Sequence, residues 1–234
     1  MVSYRLIQVT AALKGAAVFF QRSCILDIIL IETAGLSFAE VSGFLPCVTK
    51  ARRESILRKT GEGDKVNALL AELLVLSEIR RRGGARGLRQ RVEFERGPFG
   101  KPYVKGGGTW FSLSHTKGAV CAAFSAQGEV GTDIEPRSRR ISEGLYARVL
   151  SESERAQVRT AEDFLRAWVR KEAFLKRLGV GITRDLRGVD TAVMPDTVVL
   201  EKNGFFIGAS GEGAQAAGVA VMQPDELLTR YVKR

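Results

Sequence analysis

Histidine is almost absent from this chain: His115 stands alone among 234 residues, which excludes any site built on several imidazoles. Cysteine is nearly as scarce. Cys24, Cys47 and Cys121 are odd in number and none stands in C-x-x-C spacing, which argues against a disulfide framework or a zinc site and suits a reducing compartment. Long apolar runs are missing too. The stretch from Ala16 to Leu36 is interrupted by Gln21, Arg22, Asp27 and Glu32, too often to cross a bilayer. The N-terminus also lacks the basic, apolar, small-residue order of a cleaved signal peptide. A cytoplasmic protein without a membrane partner is expected.

Negative charge is the remaining deficit. Against 36 Lys and Arg there are 26 Asp and Glu, a formal net charge of +10, in a composition otherwise ordinary for a globular protein. Such a balance attracts something acidic: nucleic acid, anionic lipid, a phosphorylated small molecule or an acidic protein. The length allows one large domain or two small ones.

Among the segments present, 63-GDKVNALLAELLVLSEIRRR-82 reads as a helix. Leucines 69, 70, 73, 74 and 76 recur at helical spacing, Asp64 is the expected N-cap, and Arg80 to Arg82 oppose the dipole before Gly83-Gly84 ends it. A basic stretch, 80-RRRGGARGLRQR-91, and a loop region rich in Gly and Pro follow. The natural lobe boundary lies there, dividing 1–105 from 106–234. Strands are expected at 110–115, 119–125 and 129–135, helices at 151–159 and 161–178, and short strands at 197–201, 204–208 and 217–222. The class is α+β.

Four short motifs carry chemistry. In 128-GEVGTDIEP-136, Asp133 and Glu135 share one face of a strand, where they are either a solvated strand edge or hard-oxygen ligands for a divalent cation. In 168-WVRKEAFLK-176, Glu172 and Lys176 lie at i,i+4, either as a surface ion pair or as a third acid and a cation beside it, with Lys171 one step round. In 111-FSLSHTKG-118, Ser114 and His115 point to opposite strand faces, which argues against a direct nucleophile–base pair. His115 is either a satisfied structural residue or a donor to an anion. The last is Gly100-Lys101-Pro102, a turn that presents a lysine.

In this order and spacing, the motifs over residues 97–186 resemble the 4′-phosphopantetheinyl transferases, the larger monomeric Sfp-like type. The segments 150-LSESE-154 and 179-GVGITRDL-186 are similar to that family's patterns, and Arg52-Arg53 before the Asp64 helix more loosely so. The resemblance implies two similar α+β lobes related by a pseudo-twofold axis, with coenzyme A between them. It implies transfer of the phosphopantetheine arm to a serine of an acidic apo carrier protein, with release of 3′,5′-ADP. Asp133, Glu135 and Glu172 would hold Mg²⁺, with Mn²⁺ as an alternative, and Glu172 would also take the serine proton. Lys176 and Lys171 would pair with the migrating phosphate, Ser114 and His115 with the nucleotide phosphates. Lys101 would lie by the adenine or its 3′-phosphate, with Arg52 or Arg53 nearby. Arg137, Arg139 and Arg140 are either solvated loop charges or the basic face offered to the carrier. The chain departs from the family at Asn67, where an arginine is usual.

Two rival readings stand beside it. One is a nucleic-acid-binding protein resting on residues 80–91, which lack aromatics for base stacking and match no binding motif, so no nucleic-acid partner is expected. The other is a metal-dependent nucleotide phosphohydrolase using the same three acids.

Overall fold

A computed structural model describes residues 26–83, 92–181 and 186–232. Cys24, the apolar run as far as residue 25, residues 84–91 of the basic stretch and 182–185 of the segment after the second long helix lie outside them. In chain order the first half forms β1 (Asp27–Glu32), α1 (Phe38–Ser42), α2 (Lys50–Leu57), α3 (Glu62–Arg82), β2 (Phe94–Arg96) and β3 (Pro102–Val104). Then come β4 (Trp110–Thr116), β5 (Ala119–Ser125), β6 (Gly131–Pro136), α4 (Glu143–Val149), α5 (Glu152–Gln157) and α6 (Ala161–Leu178). The chain closes with β7 (Thr197–Lys202), β8 (Phe205–Ser210), β9 (Val219–Val221) and α7 (Pro224–Val232). The expected α+β class holds.

Strands β1 and β5 bury both faces, and their alternation sorts residues between two cores. Ile29, Ile31, Val120, Ala122 and Phe124 pack against the leucines of α3. Ile28, Leu30, Ala119, Cys121 and Ala123 meet Val130 and Ile134 of the β6 segment and Ile207 and Ala209 of β8. Two sheets therefore lie face to face, β4-β5-β1-β9 and β6-β8-β7, with β2-β3 as a separate hairpin. Among the described residues only the β1–β9 pair is parallel. Because β1 pairs with β5 and β9, the first sheet draws strands from both sides of residue 105.

Helix α3 covers the outer face of the first sheet, and each of its buried leucines contributes about 1.5–3 kcal/mol through area removed from water. Its N-cap is Gly61, with Asp64 inside the first turn rather than capping it. At its C-terminal end the buried Glu78 accepts from Arg81, Arg82 and Arg230, so two of the basic stretch's arginines are held within the fold. Among the described residues no helix is long and apolar enough to cross a membrane.

Helix α6 lies across the second sheet, started by a capping box of Thr160 and Asp163 and stopped by Gly179 in the left-handed conformation. It sits close because two sheet residues have no side chain. A Cβ at Gly131 would lie 1.8 Å from the Ala173 carbonyl oxygen, and one at Gly208 would lie 2.0 Å from that of Val169. Gly208 stands opposite Asp133 in the β6–β8 register, so this close approach is what brings the helix to the acids.

Candidate active site

Gly131, Asp133 and Glu135 alternate along the face of β6 that meets α6. The helix lays Trp168, Glu172 and Lys176 over them. From the other side comes β4, whose Ser112, Ser114 and Thr116 form a row of hydroxyls at every second position. Ser112 Oγ accepts from the Thr132 amide at 3.0 Å, Ser114 Oγ donates to Asp133 Oδ1 at 2.7 Å, and Thr116 Oγ1 donates to Glu135 at 3.3 Å. A pocket of about 290 Å³ results, lined by Asp133, Glu135, Glu172, Ser114, His115 and Lys176 together with Leu113 and Trp168. The three acids expected to converge do line one cavity.

Their charges are unevenly matched. Lys176 Nζ lies 2.7 Å from Asp133 Oδ1 and 2.9 Å from Ser114 Oγ, not on Glu172 as the helical spacing allowed. Glu135 is ion-paired with Arg139. Glu172, 2% exposed, has no ion-pair partner among the described residues, and its Oε1 is a buried acceptor without a hydrogen bond, as is Asp133 Oδ2. Burial and the neighbouring Asp133 charge push the Glu172 carboxyl up to about 7, and Glu135 adds to this against the pull of Lys176 and Arg139. Burial also raises Glu135, with Arg139 opposing and Asp133 reinforcing.

Two orphaned, buried carboxylate oxygens in one small cavity form a hard-oxygen donor set that wants positive charge, and this fits a divalent cation such as Mg²⁺ or Mn²⁺. Among the described residues, no three His, Cys, Asp or Glu side chains already stand together as a metal cage. Lys176 and Arg139 hold two of the acids instead.

His115 stands at the same pocket. Loss of solvent around its ring lowers its pKa, and so do Lys59, Lys176 and Arg52, against the pull of Asp64. Protonation of the ring is correspondingly disfavoured in this state. Lys59 was not singled out in the sequence; it follows the end of α2, and only the tertiary fold brings its charge to bear on the imidazole.

A larger cavity of about 700 Å³ adjoins, with Leu113 in both linings. Val75, Val92, Phe94 and Phe111 give it apolar walls, and Arg52, Glu72 and Arg96 give it charge. Arg52 Nε lies 3.1 Å from Glu72, while Arg53 lines neither cavity.

Two lysines expected to contact ligand are engaged with protein groups in this structure. Lys171 is fully buried and turned away from the pocket, donating to the Val149 and Leu186 carbonyls at 2.7 and 3.0 Å and ion-paired with Glu154. A dehydrated ammonium needs just such a set of acceptors. Lys101 is likewise consumed, bonded to Glu129 and to the Val130 and Arg177 carbonyls, so its charge is not free for a nucleotide. Asn67, where the sequence departs from the family pattern, is also internal. It donates to the Thr116 carbonyl at 2.8 Å and accepts from Thr33 at 2.6 Å, tying α3 to the end of β4.

Residues 129–215, from just before β6 to just after β8, match the family model for the 4′-phosphopantetheinyl transferase superfamily. The chain is 30% identical over 184 residues to the L-aminoadipate-semialdehyde dehydrogenase-phosphopantetheinyl transferase of Candida glabrata, covering 73% of this chain and 68% of that protein. It is 31% identical over 135 residues to the 4′-phosphopantetheinyl transferase AcpT of Salmonella typhimurium, covering 54% of this chain and 66% of that one. A relative from Xenopus laevis, bearing the same name as the Candida protein, is 30% identical over 131 residues, 48% of this chain and 43% of its own length. With the matched segment spanning the acids of β6 and α6, and the Candida relative covered over two thirds of its length, the chain belongs to the 4′-phosphopantetheinyl transferase family and is a transferase.

Proposed function

We propose that the protein transfers the 4′-phosphopantetheine arm of coenzyme A to a serine hydroxyl of an acidic apo carrier protein and releases 3′,5′-ADP. The observation that carries this is the single pocket in which Asp133, Glu135, Glu172 and Lys176 meet with two carboxylate oxygens left unpartnered. Asp133, Glu135 and Glu172 would hold Mg²⁺, which when bound neutralises and orients the diphosphate.

The chain's own residues supply the rest. Lys176, fixed by Asp133 and Ser114, presents a cation beside the migrating phosphoryl group. Ser114 helps to hold that lysine in place. The serine oxygen bonds to the phosphorus that bears the pantetheine, the bond from that phosphorus to the bridging oxygen breaks, and 3′,5′-ADP leaves. Glu172, which lines the same pocket, is placed to take the serine proton directly or through water. The adjoining cavity, with apolar walls and Arg52, suits the nucleoside end. Lys171 and Lys101 drop out of the ligand set for the reasons given above.

Of the arginines after β6, Arg137 is paired with Glu162 and Glu201, and Arg139 with Glu135. Arg140 is exposed and unpaired among the described residues, which makes it the cation available to an acidic carrier. We read the enzyme as a cytoplasmic monomer; carriers of fatty-acid, polyketide and nonribosomal-peptide synthesis all fit this chemistry.

Incubating apo carriers of each kind with enzyme, coenzyme A and Mg²⁺, then weighing them intact, tests the reading. Gain of one phosphopantetheine is expected. Consumption of coenzyme A without any carrier would instead mark a phosphohydrolase, and salt-sensitive oligonucleotide binding with no carrier modification a nucleic-acid-binding protein.

A further inference from the structure

Arg139 lies at the mouth of the acidic pocket. Its guanidinium is ion-paired with Glu135 and lies over the Trp168 ring, 5.2 Å from the centroid. The two holds come from different elements, an acid of β6 and an aromatic of α6. The Arg139 side chain is one-third exposed and Glu135 is 13% exposed, so the pair sits at the rim. Deeper in, Asp133 Oδ2 and Glu172 Oε1 have no partner. The pocket thus offers two free oxygens inside and one acid at the mouth already holding a cation.

We propose that Arg139 is the displaceable counter-ion of Glu135: a divalent cation entering the pocket competes with this guanidinium for the carboxylate, and the rim position lets the displaced side chain move toward solvent. The proposal rests on the metal reading of the site given above. A guanidinium on Glu135 and a dication on the two inner oxygens repel across one small cavity, so full use of three acids requires Arg139 to let go. Until then it keeps the outer acid compensated. The arginine therefore acts through Glu135 as a positioning residue that weakens the site for cations too feebly charged to displace it.

The test uses the full chain and Mn²⁺ alone, with free ion read by electron paramagnetic resonance, so that no anionic substrate contributes. Wild type is expected to bind Mn²⁺, Arg139→Gln to bind it about three- to tenfold more tightly, and Arg139→Lys to fall between. In a Trp110→Phe background, where Trp168 is the only remaining tryptophan, Mg²⁺ titration should shift its emission as the guanidinium leaves the ring. Arg139→Gln should abolish that shift. Circular dichroism checks that each variant is folded; should the glutamine variant fail it, the lysine variant's affinity and the wild-type emission decide. Equal or weaker Mn²⁺ binding by folded Arg139→Gln, or a silent Trp168, overturns the proposal while the metal reading stands. If wild type binds no Mn²⁺ at all, and Asp133→Ala is indistinguishable from it, the metal reading falls and this proposal with it.

Discussion

Lys176 Nζ and Asp133 Oδ1 lie 2.7 Å apart, joining the last turns of α6 to the middle of β6. Forty-three residues separate the two, and Ser114 of β4 completes the bridge. One ammonium therefore ties together the three elements that build the pocket. Lys176→Ala removes the cation beside the phosphoryl group while leaving the carboxylates. Its rate of carrier modification, followed by intact mass, is expected to fall about 10²–10³-fold, as for loss of one preorganised electrostatic donor.

Glu172 makes stability depend on pH. Its carboxyl is held up to about 7 in the folded protein, against 4.5 for the unperturbed group. Between those values the native state keeps a proton that the unfolded chain has released, so stability falls as pH rises through the window and levels off above it. Glu172→Gln removes that charge and its part of the slope, leaving the part due to Glu135. It should be more stable than wild type by on the order of 2 kcal/mol at pH 8 and equal to it at pH 4, in urea unfolding at each pH. The same variant should lose carrier modification. A variant that gains stability and loses activity marks an acid kept for function, not for the fold.

Lys171 has the opposite character. Three acceptors hold its ammonium in the interior, and the Glu154 it pairs with also accepts from the Ser151 and Thr191 amides. Burial works to raise the Glu154 pKa, but the bond from Lys171 and those two amides outweigh it, and the net shift is downward. Lys171→Ala leaves this carboxylate buried without its cation and should cost about 3–5 kcal/mol in urea unfolding. Activity per folded molecule should stay close to wild type, which separates this lysine from Lys176.

Arg140, exposed and unpaired among the described residues, should affect encounter more than chemistry. For Arg140→Glu, KM for an acidic carrier is expected to rise several-fold with kcat little changed, and the difference should shrink in high salt as screening takes over. A fall in kcat with unchanged KM would count against a docking role.

The readable parts of this protein were those set by local rules. The leucine spacing of α3, the capping box of α5 and the strands over 110–125 follow from periodicity and end signals, and the structure has them within a few residues. The D-x-E of β6 was legible because strand alternation alone puts both acids on one face. Which lysine of 168-WVRKEAFLK-176 enters the pocket was not, since Lys171 and Lys176 are both polar positions on a helix whose polar faces each meet protein. Only the seating of α6 decides that, and the seating depends on Gly131 and Gly208, positions that a strand pattern does not distinguish. The hydroxyl row Ser112, Ser114 and Thr116 did leave a signal, a period of two within 110-WFSLSHT-116, which attention to Ser114 and His115 as neighbours obscured. Arg139 left none, because its place depends on a carboxylate and an indole from two different elements.

That seating can be tested directly. Gly208→Ala sets a methyl group where the Val169 carbonyl oxygen now stands, 2.0 Å from it, with the Ala173 Cβ at 3.1 Å. The first obstacle is helix backbone, which no side-chain rotation relieves, so α6 must lift from the sheet or the strand must bend. Overpacking of this kind costs about 1–3 kcal/mol, and more where backbone must move. The consequence for the site is geometric, because Gly208 faces Asp133 across the ladder and Glu172 follows Val169 on the helix. The variant should show a lower urea midpoint and, where folded, weaker Mn²⁺ binding than wild type. Gly144→Ala serves as the control: a Cβ there meets nothing within 4 Å and lies in α4, so stability should be unchanged or raised by up to about 1 kcal/mol. Were Gly208→Ala to match that control in both measurements, the close approach of α6 to β8 could not be what assembles the three acids.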